Sequence, residues 1–62
     1  MSKPYVVFLA QMPVMYCETF AEALVCYRAN RNVNGINIRN TERSDVDDNG
    51  LTENERAQLE AA

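Results

Sequence analysis

Thr19-Phe20-Ala21-Glu22-Ala23-Leu24-Val25-Cys26-Tyr27-Arg28 is the stretch on which the fold turns. Thr19 followed three residues later by Glu22 spells a capping box, in which the hydroxyl accepts from the N3 amide and the N3 carboxylate reaches back. Phe20, Leu24 and Tyr27 recur at i, i+4 and i+7 with Ala23 beside them, the apolar stripe of a helix lying on a core. Arg28 and Arg31 fall where the helix macrodipole favours cations. The pattern predicts a helix over 20–31, stopped by Asn32 to Gly35, with Gly35 free to take a positive φ.

Upstream, Pro4-Tyr5-Val6-Val7-Phe8-Leu9-Ala10 is short, β-branched and aromatic, and reads as a strand. Val14-Met15-Tyr16-Cys17 is a second strand candidate, with the bend placed at Gln11 to Pro13. Pro13 lacks an N–H and so argues for an edge position or a bulge. Downstream, Ile36-Asn37-Ile38-Arg39-Asn40 alternates apolar and polar residues, the mark of a half-buried strand. Thr52-Glu53-Asn54-Glu55 repeats the capping-box spelling and predicts a short helix over 53–61. The expected fold is therefore α+β: one main helix on a small two- or three-stranded antiparallel sheet, in the order β-β-α-β, with a short C-terminal helix. The sheet face turned away from the helix is either covered by the C-terminal tail or left as an association surface, a homodimer being one way to close it. Either Tyr5, Val7 and Leu9 or Val6, Phe8 and Ala10 point that way, depending on register.

The chain has 62 residues, so one small domain is expected, burying only about 60% of the surface of its unfolded form. Its net charge of -3 is unevenly distributed. Residues 1–43 hold every aromatic and carry Lys3, Arg28, Arg31, Arg39 and Arg43 against Glu18, Glu22 and Glu42, a net of +2. Residues 44–62 carry Asp45, Asp47, Asp48, Glu53, Glu55 and Glu60 against Arg56, a net of -5. We divide the chain into an α+β body, 1–43, and an acidic loop with a helical tail, 44–62.

Composition narrows the chemistry. With no histidine, the usual general base at neutral pH and the commonest nitrogen ligand for metals are both missing. Ser2 and Ser44 have no neighbouring base to activate them. Cys17 and Cys26 lie in apolar contexts and read as buried free thiols of a cytoplasmic protein. The apolar run Tyr5–Cys17 is too short for a bilayer, which takes about 20 residues, so no membrane role is expected. The reading is of a non-enzymatic module without a cofactor.

Asp45-Val46-Asp47-Asp48-Asn49-Gly50 matches the first half of a calcium loop, D-x-D-x-N-G, in which alternate oxygens turn inward and the glycine makes the sharp bend. Asp45, Asp47 and Asn49 are the candidate ligands. Position twelve holds Arg56 instead of glutamate, so any such site would be weak. The competing reading is an Asx-rich turn leading into a capped helix. The arginines at 28, 31, 39 and 43 could contact phosphates, but the acidic balance argues against nucleic acid as the partner.

Tyr16-Cys17-Glu18-Thr19-Phe20-Ala21-Glu22-Ala23-Leu24, followed by Gly35 and Ile36–Ile38, resembles the small RNA-polymerase-inhibitor protein of T7-like phages. The resemblance spans residues 14–40 and implies a helix on an antiparallel sheet, and a regulator that works by protein–protein contact with RNA polymerase. It also implies functional arginines on the last strand. A gapless match places Asn40 and Glu42 there, with Arg39 and Arg43 adjacent. The partner-binding candidates are accordingly Asn37 and Arg39 on the polar face of that strand, and Arg43 beside it.

Overall fold

The computed structural model describes residues 3–62. Strands β1 (Tyr5–Leu9) and β2 (Met12–Cys17) form a hairpin, helix α1 (Phe20–Ala29) follows, then β3 (Ile36–Asn40) and helix α2 (Glu53–Ala61). The sheet is antiparallel in the order β2-β1-β3, so the most apolar strand is the central one. This is the expected α+β fold, with three strands.

The hairpin turns earlier than the Gln11–Pro13 bend read from the sequence. Ala10 and Gln11 form a two-residue turn with φ of 51° and 71°. Both signs are those of a type I′ turn, whose twist suits a hairpin but which normally recruits glycine or asparagine. Pro13 therefore lies inside β2, which begins at Met12. The register shifts by one residue between Met15 and Pro13, opposite Val7 and Phe8, leaving Val14 as the bulged residue. Thus Pro13 has both the edge position and the adjacent bulge that its missing N–H requires.

Helix α1 starts as read: the Thr19 hydroxyl accepts from the Glu22 amide at 3.3 Å. It ends at Ala29, sooner than the expected residue 31. Asn30 takes a non-helical φ of -119° and its side-chain amide donates to the Cys26 carbonyl at 2.9 Å, satisfying a last-turn acceptor. Arg31 consequently falls outside the last turn, where Arg28 remains. At Thr52 the capping box is complete, with Glu55 N–H donating to the Thr52 hydroxyl at 3.1 Å and Thr52 N–H to the Glu55 carboxylate at 2.9 Å.

Val7, Cys17, Phe20, Ala23, Leu24, Ile38 and Leu51 make one buried cluster between the sheet and α1. Val7 and Ile38 are cross-strand partners, fully buried at the centre. Tyr5 meets Phe20 edge-on, ring centroids 5.7 Å apart. Leu51 belongs to the segment set apart in sequence as the tail, yet it is part of this core, with Leu59 and Ala62 packed at its margin. The 44–62 segment therefore shares its core with the body. Residues 45–49 run beside β3, where they meet the outward side chains of Arg39 and Asn37. There Asn40 N–H donates to the Asn49 carbonyl at 2.8 Å, pairing an edge donor that would otherwise stand open.

Candidate protein-binding surface

Register decides which side chains face away from α1. Val7 and Ile38 are in the core, so Val6 and Phe8 point outward, with Tyr16 of β2 and Arg39 of β3 on either side of Val6 and Asn37 beside Phe8. Val6 is nonetheless only 1% exposed, while Phe8 is half-buried. Phe8, Ala10, Gln11, Gly35, Asn37 and Arg39 line an open groove of about 590 Å³ on this outer face. An aromatic ring, a carboxamide and a guanidinium thus share one concavity.

The groove has a built wall. The Arg39 guanidinium donates to the Asp45 carbonyl at 2.9 Å and approaches the Asp48 carbonyl at 3.5 Å. The Asn49 side-chain amide donates to Asn37 Oδ1 at 3.0 Å. Two of the three partner-binding candidates, Asn37 and Arg39, therefore stand together on the groove and also hold the acidic loop against β3.

The third, Arg43, lies elsewhere. Its guanidinium pairs with Glu55 at 3.2 Å and also donates to the Tyr5 hydroxyl at 3.3 Å. The Tyr5 hydroxyl donates a short hydrogen bond to Glu55. Burial works to raise the Glu55 pKa, but the bonds from Tyr5 and Thr52 and the Arg43 charge outweigh it, and the carboxyl titrates below the usual glutamate range. The same bond to Glu55, with burial and the Glu55 charge, raises the Tyr5 phenol above its ordinary value. Arg43, Tyr5 and Glu55 form a clasp between the sheet and α2.

Asn40 was not read from the sequence as a site residue, but it organises the whole junction. It is 4% exposed, and its Oδ1 accepts from the amides of Glu42 at 3.0 Å and Arg43 at 3.2 Å. Its own carbonyl accepts from Ser44 N–H at 2.8 Å. The signal available in sequence was an asparagine closing an alternating strand, the residue type that starts Asx turns.

The acidic loop uses its acceptors on the chain's own donors. Asp45 Oδ1 accepts from Asp47 N–H at 2.8 Å, and Asp48 Oδ1 accepts from Gly50 N–H and from the Arg56 guanidinium, each at 2.9 Å. The Gly50 amide, then Arg56, hold the Asp48 carboxyl below its usual pKa. Of the three candidate ligands, the Asp45 carboxylate closes an Asx turn and the Asn49 side-chain amide donates to Asn37. Among the described residues no three His, Cys, Asp or Glu side chains are grouped as a metal ion would need. Two guanidinium groups hold the loop: Arg39 donates to its carbonyls and Arg56 pairs with Asp48.

Cys17 is a buried free thiol whose pKa is raised, first by burial and then by the Glu22 charge. Cys26 is free and partly buried. No helix among the described residues is long and apolar enough to cross a membrane. Comparison of the chain with protein-family models, with curated proteins and with solved structures finds no match in any of the three.

Proposed function

We propose that this chain is a small non-enzymatic protein-binding module of the cytoplasm that meets its partner through the outer face of the sheet. The observation that carries the reading is the groove that sets Phe8 beside Arg39 and Asn37, with Tyr16 exposed on the same face. Aromatic and arginine side chains are the types that dominate protein interfaces, and a rigid sheet presents them without an ordering cost. Two free thiols suit a reducing compartment. A raised pKa and deep burial make Cys17 a poor nucleophile. The sharper version is a phage-type regulator that contacts RNA polymerase, and it rests on the resemblance of residues 14–40.

The test is affinity capture from a bacterial lysate on the immobilised chain, alongside Phe8→Lys and Arg39→Glu, each first checked for native circular dichroism. A protein retained by the wild type and lost by both variants is the expected result. RNA polymerase subunits in that fraction would support the regulator reading, and another protein there would support the module while removing the polymerase. If every retained protein binds the variants equally, the proposal fails.

A further inference from the structure

The two edges of the sheet are finished differently. Beside β3, Asn49 pairs the Asn40 amide and Arg39 holds the acidic loop. Among the described residues, strand β2 has no neighbour on its outer side. It nevertheless carries four exposed large hydrophobic side chains: Met12 at 67%, Val14 at 53%, Met15 at 44% and Tyr16 at 58%. They are not confined to one face. Met12 and Met15 pair with Leu9 and Val7 and so lie on the helix side, whereas Tyr16 pairs with Val6 and lies on the outer side. Apolar residues on both faces are the pattern of a strand inside a sheet, not at its margin.

We propose that β2 is the two-fold interface of a homodimer, in which a second copy sets its own β2 alongside and the sheet becomes six-stranded. A helix or loop laid on one face would leave the other face's side chains in water, whereas a second β2 brings matching side chains to both. Electrostatics selects the same partner. No residue from Gln11 to Cys17 is charged, and the acidic loop Asp45–Asn49 is held on β3, on the other side of β1 from β2. In the order β3-β1-β2-β2-β1-β3 the two β3 strands stand five spacings apart, about 24 Å at about 4.8 Å per strand. That exceeds the Debye length of about 8 Å at physiological salt, so the two acidic loops are screened from each other. A basic partner would be drawn to the tail instead.

Pro13 limits the ladder. The bonds Thr41 N–H to the Pro4 carbonyl and Ala10 N–H to the Gly35 carbonyl show that alternate residues of β1 turn to β3. Tyr5, Val7 and Leu9 therefore turn to β2, and Pro13, opposite Phe8, directs its ring nitrogen to the free edge. Backbone pairing between copies is confined to Val14–Cys17, and side chains supply the rest of the contact. The short ladder also works against open-ended stacking, because each copy has one such edge.

Sedimentation equilibrium of the full chain, from the micromolar range up to about 0.5 mM, reads this directly; at that concentration a Kd of about 0.1 mM already gives mostly dimer. The expected result is a mass rising to twice that of the chain, with the amides of Val14–Cys17 shifting on dilution. Met15→Lys and Tyr16→Lys replace exposed side chains, so the fold survives, and each should return the mass to that of one copy. Val46→Lys, at a 98% exposed site in the acidic loop, should leave the dimer intact. A wild-type mass of one copy at the highest concentration overturns the proposal, as does a dimer insensitive to Met15→Lys and Tyr16→Lys. Met15→Lys lies on the helix side of the sheet, so its loss of the dimer with lysate capture through Phe8 and Arg39 preserved supports the dimer and separates it from the outer-face reading.

Discussion

Gly50→Ala tests whether the acidic segment is a wedge built into the fold. Gly50 has φ of +78°. A Cβ there would stand 2.7 Å from the Ser44 nitrogen and 2.8 Å from both the Arg43 carbonyl carbon and the Asn40 oxygen. All three are backbone atoms of the Asn40–Ser44 turn, so no rotamer change relieves the contact. The left-handed conformation costs an alanine about 1–2 kcal/mol. Overpacking against fixed atoms adds about 1–3 kcal/mol. The sum, roughly 2–5 kcal/mol, is a large fraction of the stability of a 62-residue chain at about 0.05–0.15 kcal/mol per residue. Because Leu51 follows directly and is in the core, one way to escape the clash is to release residues 44–62 and expose Leu51. Urea unfolding should show the loss, and hydrogen exchange should show the Asn40 amide losing protection as its Asn49 acceptor departs. Gly50→Asn separates the two causes, since asparagine tolerates positive φ but still carries a Cβ, and it should keep the overpacking share of about 1–3 kcal/mol. A loss below about 1 kcal/mol for Gly50→Ala, with Asn40 still protected, would refute the close packing described here.

Replacing Ala10-Gln11 by Asn-Gly supplies the residues a type I′ turn prefers and should stabilise the chain by about 1–2 kcal/mol, a rise of several degrees in thermal midpoint. Leu51→Ala should cost about 2–4 kcal/mol by urea titration, a core-sized effect from a position in the acidic segment. The Glu55 carboxyl has a depressed folded pKa, so its contribution is present above the ordinary glutamate pKa and is lost as pH falls through the lower folded value. Stability measured by urea midpoint should therefore drop on acidification, and Glu55→Gln should flatten that part of the profile. Tyr5 has a raised folded pKa, so its contribution is present below the ordinary phenol pKa and is lost as pH rises through the folded value. Tyr5→Phe should remove that alkaline loss.

The local elements were readable because their signals are local. Thr19 and Thr52 each cap the helix they precede, and Ile36–Asn40 alternates as a strand between solvent and core should. The hairpin turn was misplaced because Ala10 and Gln11 carry no turn chemistry of their own. Their positive φ angles are imposed by the pairing of Leu9 with Met12 and by the Ala10 amide's bond to Gly35, contacts that the segment alone does not encode. The candidate site was half legible. The alternation of Ile36–Asn40 points Asn37 and Arg39 outward, and both line the outer groove. Their bonds to Asn49 and to the Asp45 carbonyl depend on where the following loop returns, which no periodicity records.

By itself the sequence determined the α+β class, the helix starts, the last strand and the division of charge between residues 1–43 and 44–62. Each of these follows from neighbours within one or two turns of chain. Only the tertiary structure decided that the charge boundary is not a structural boundary. Leu51 enters a core made mostly by residues before position 40, Asn40 and Gly50 lock the two segments backbone to backbone, and Arg39 takes up the carbonyls of the acidic loop. Charge composition sums over a segment, whereas burial depends on a single side chain reaching a gap. One leucine among acidic residues is enough to tie the tail to the body, and the same closure of one edge leaves β2 as the apolar edge still open.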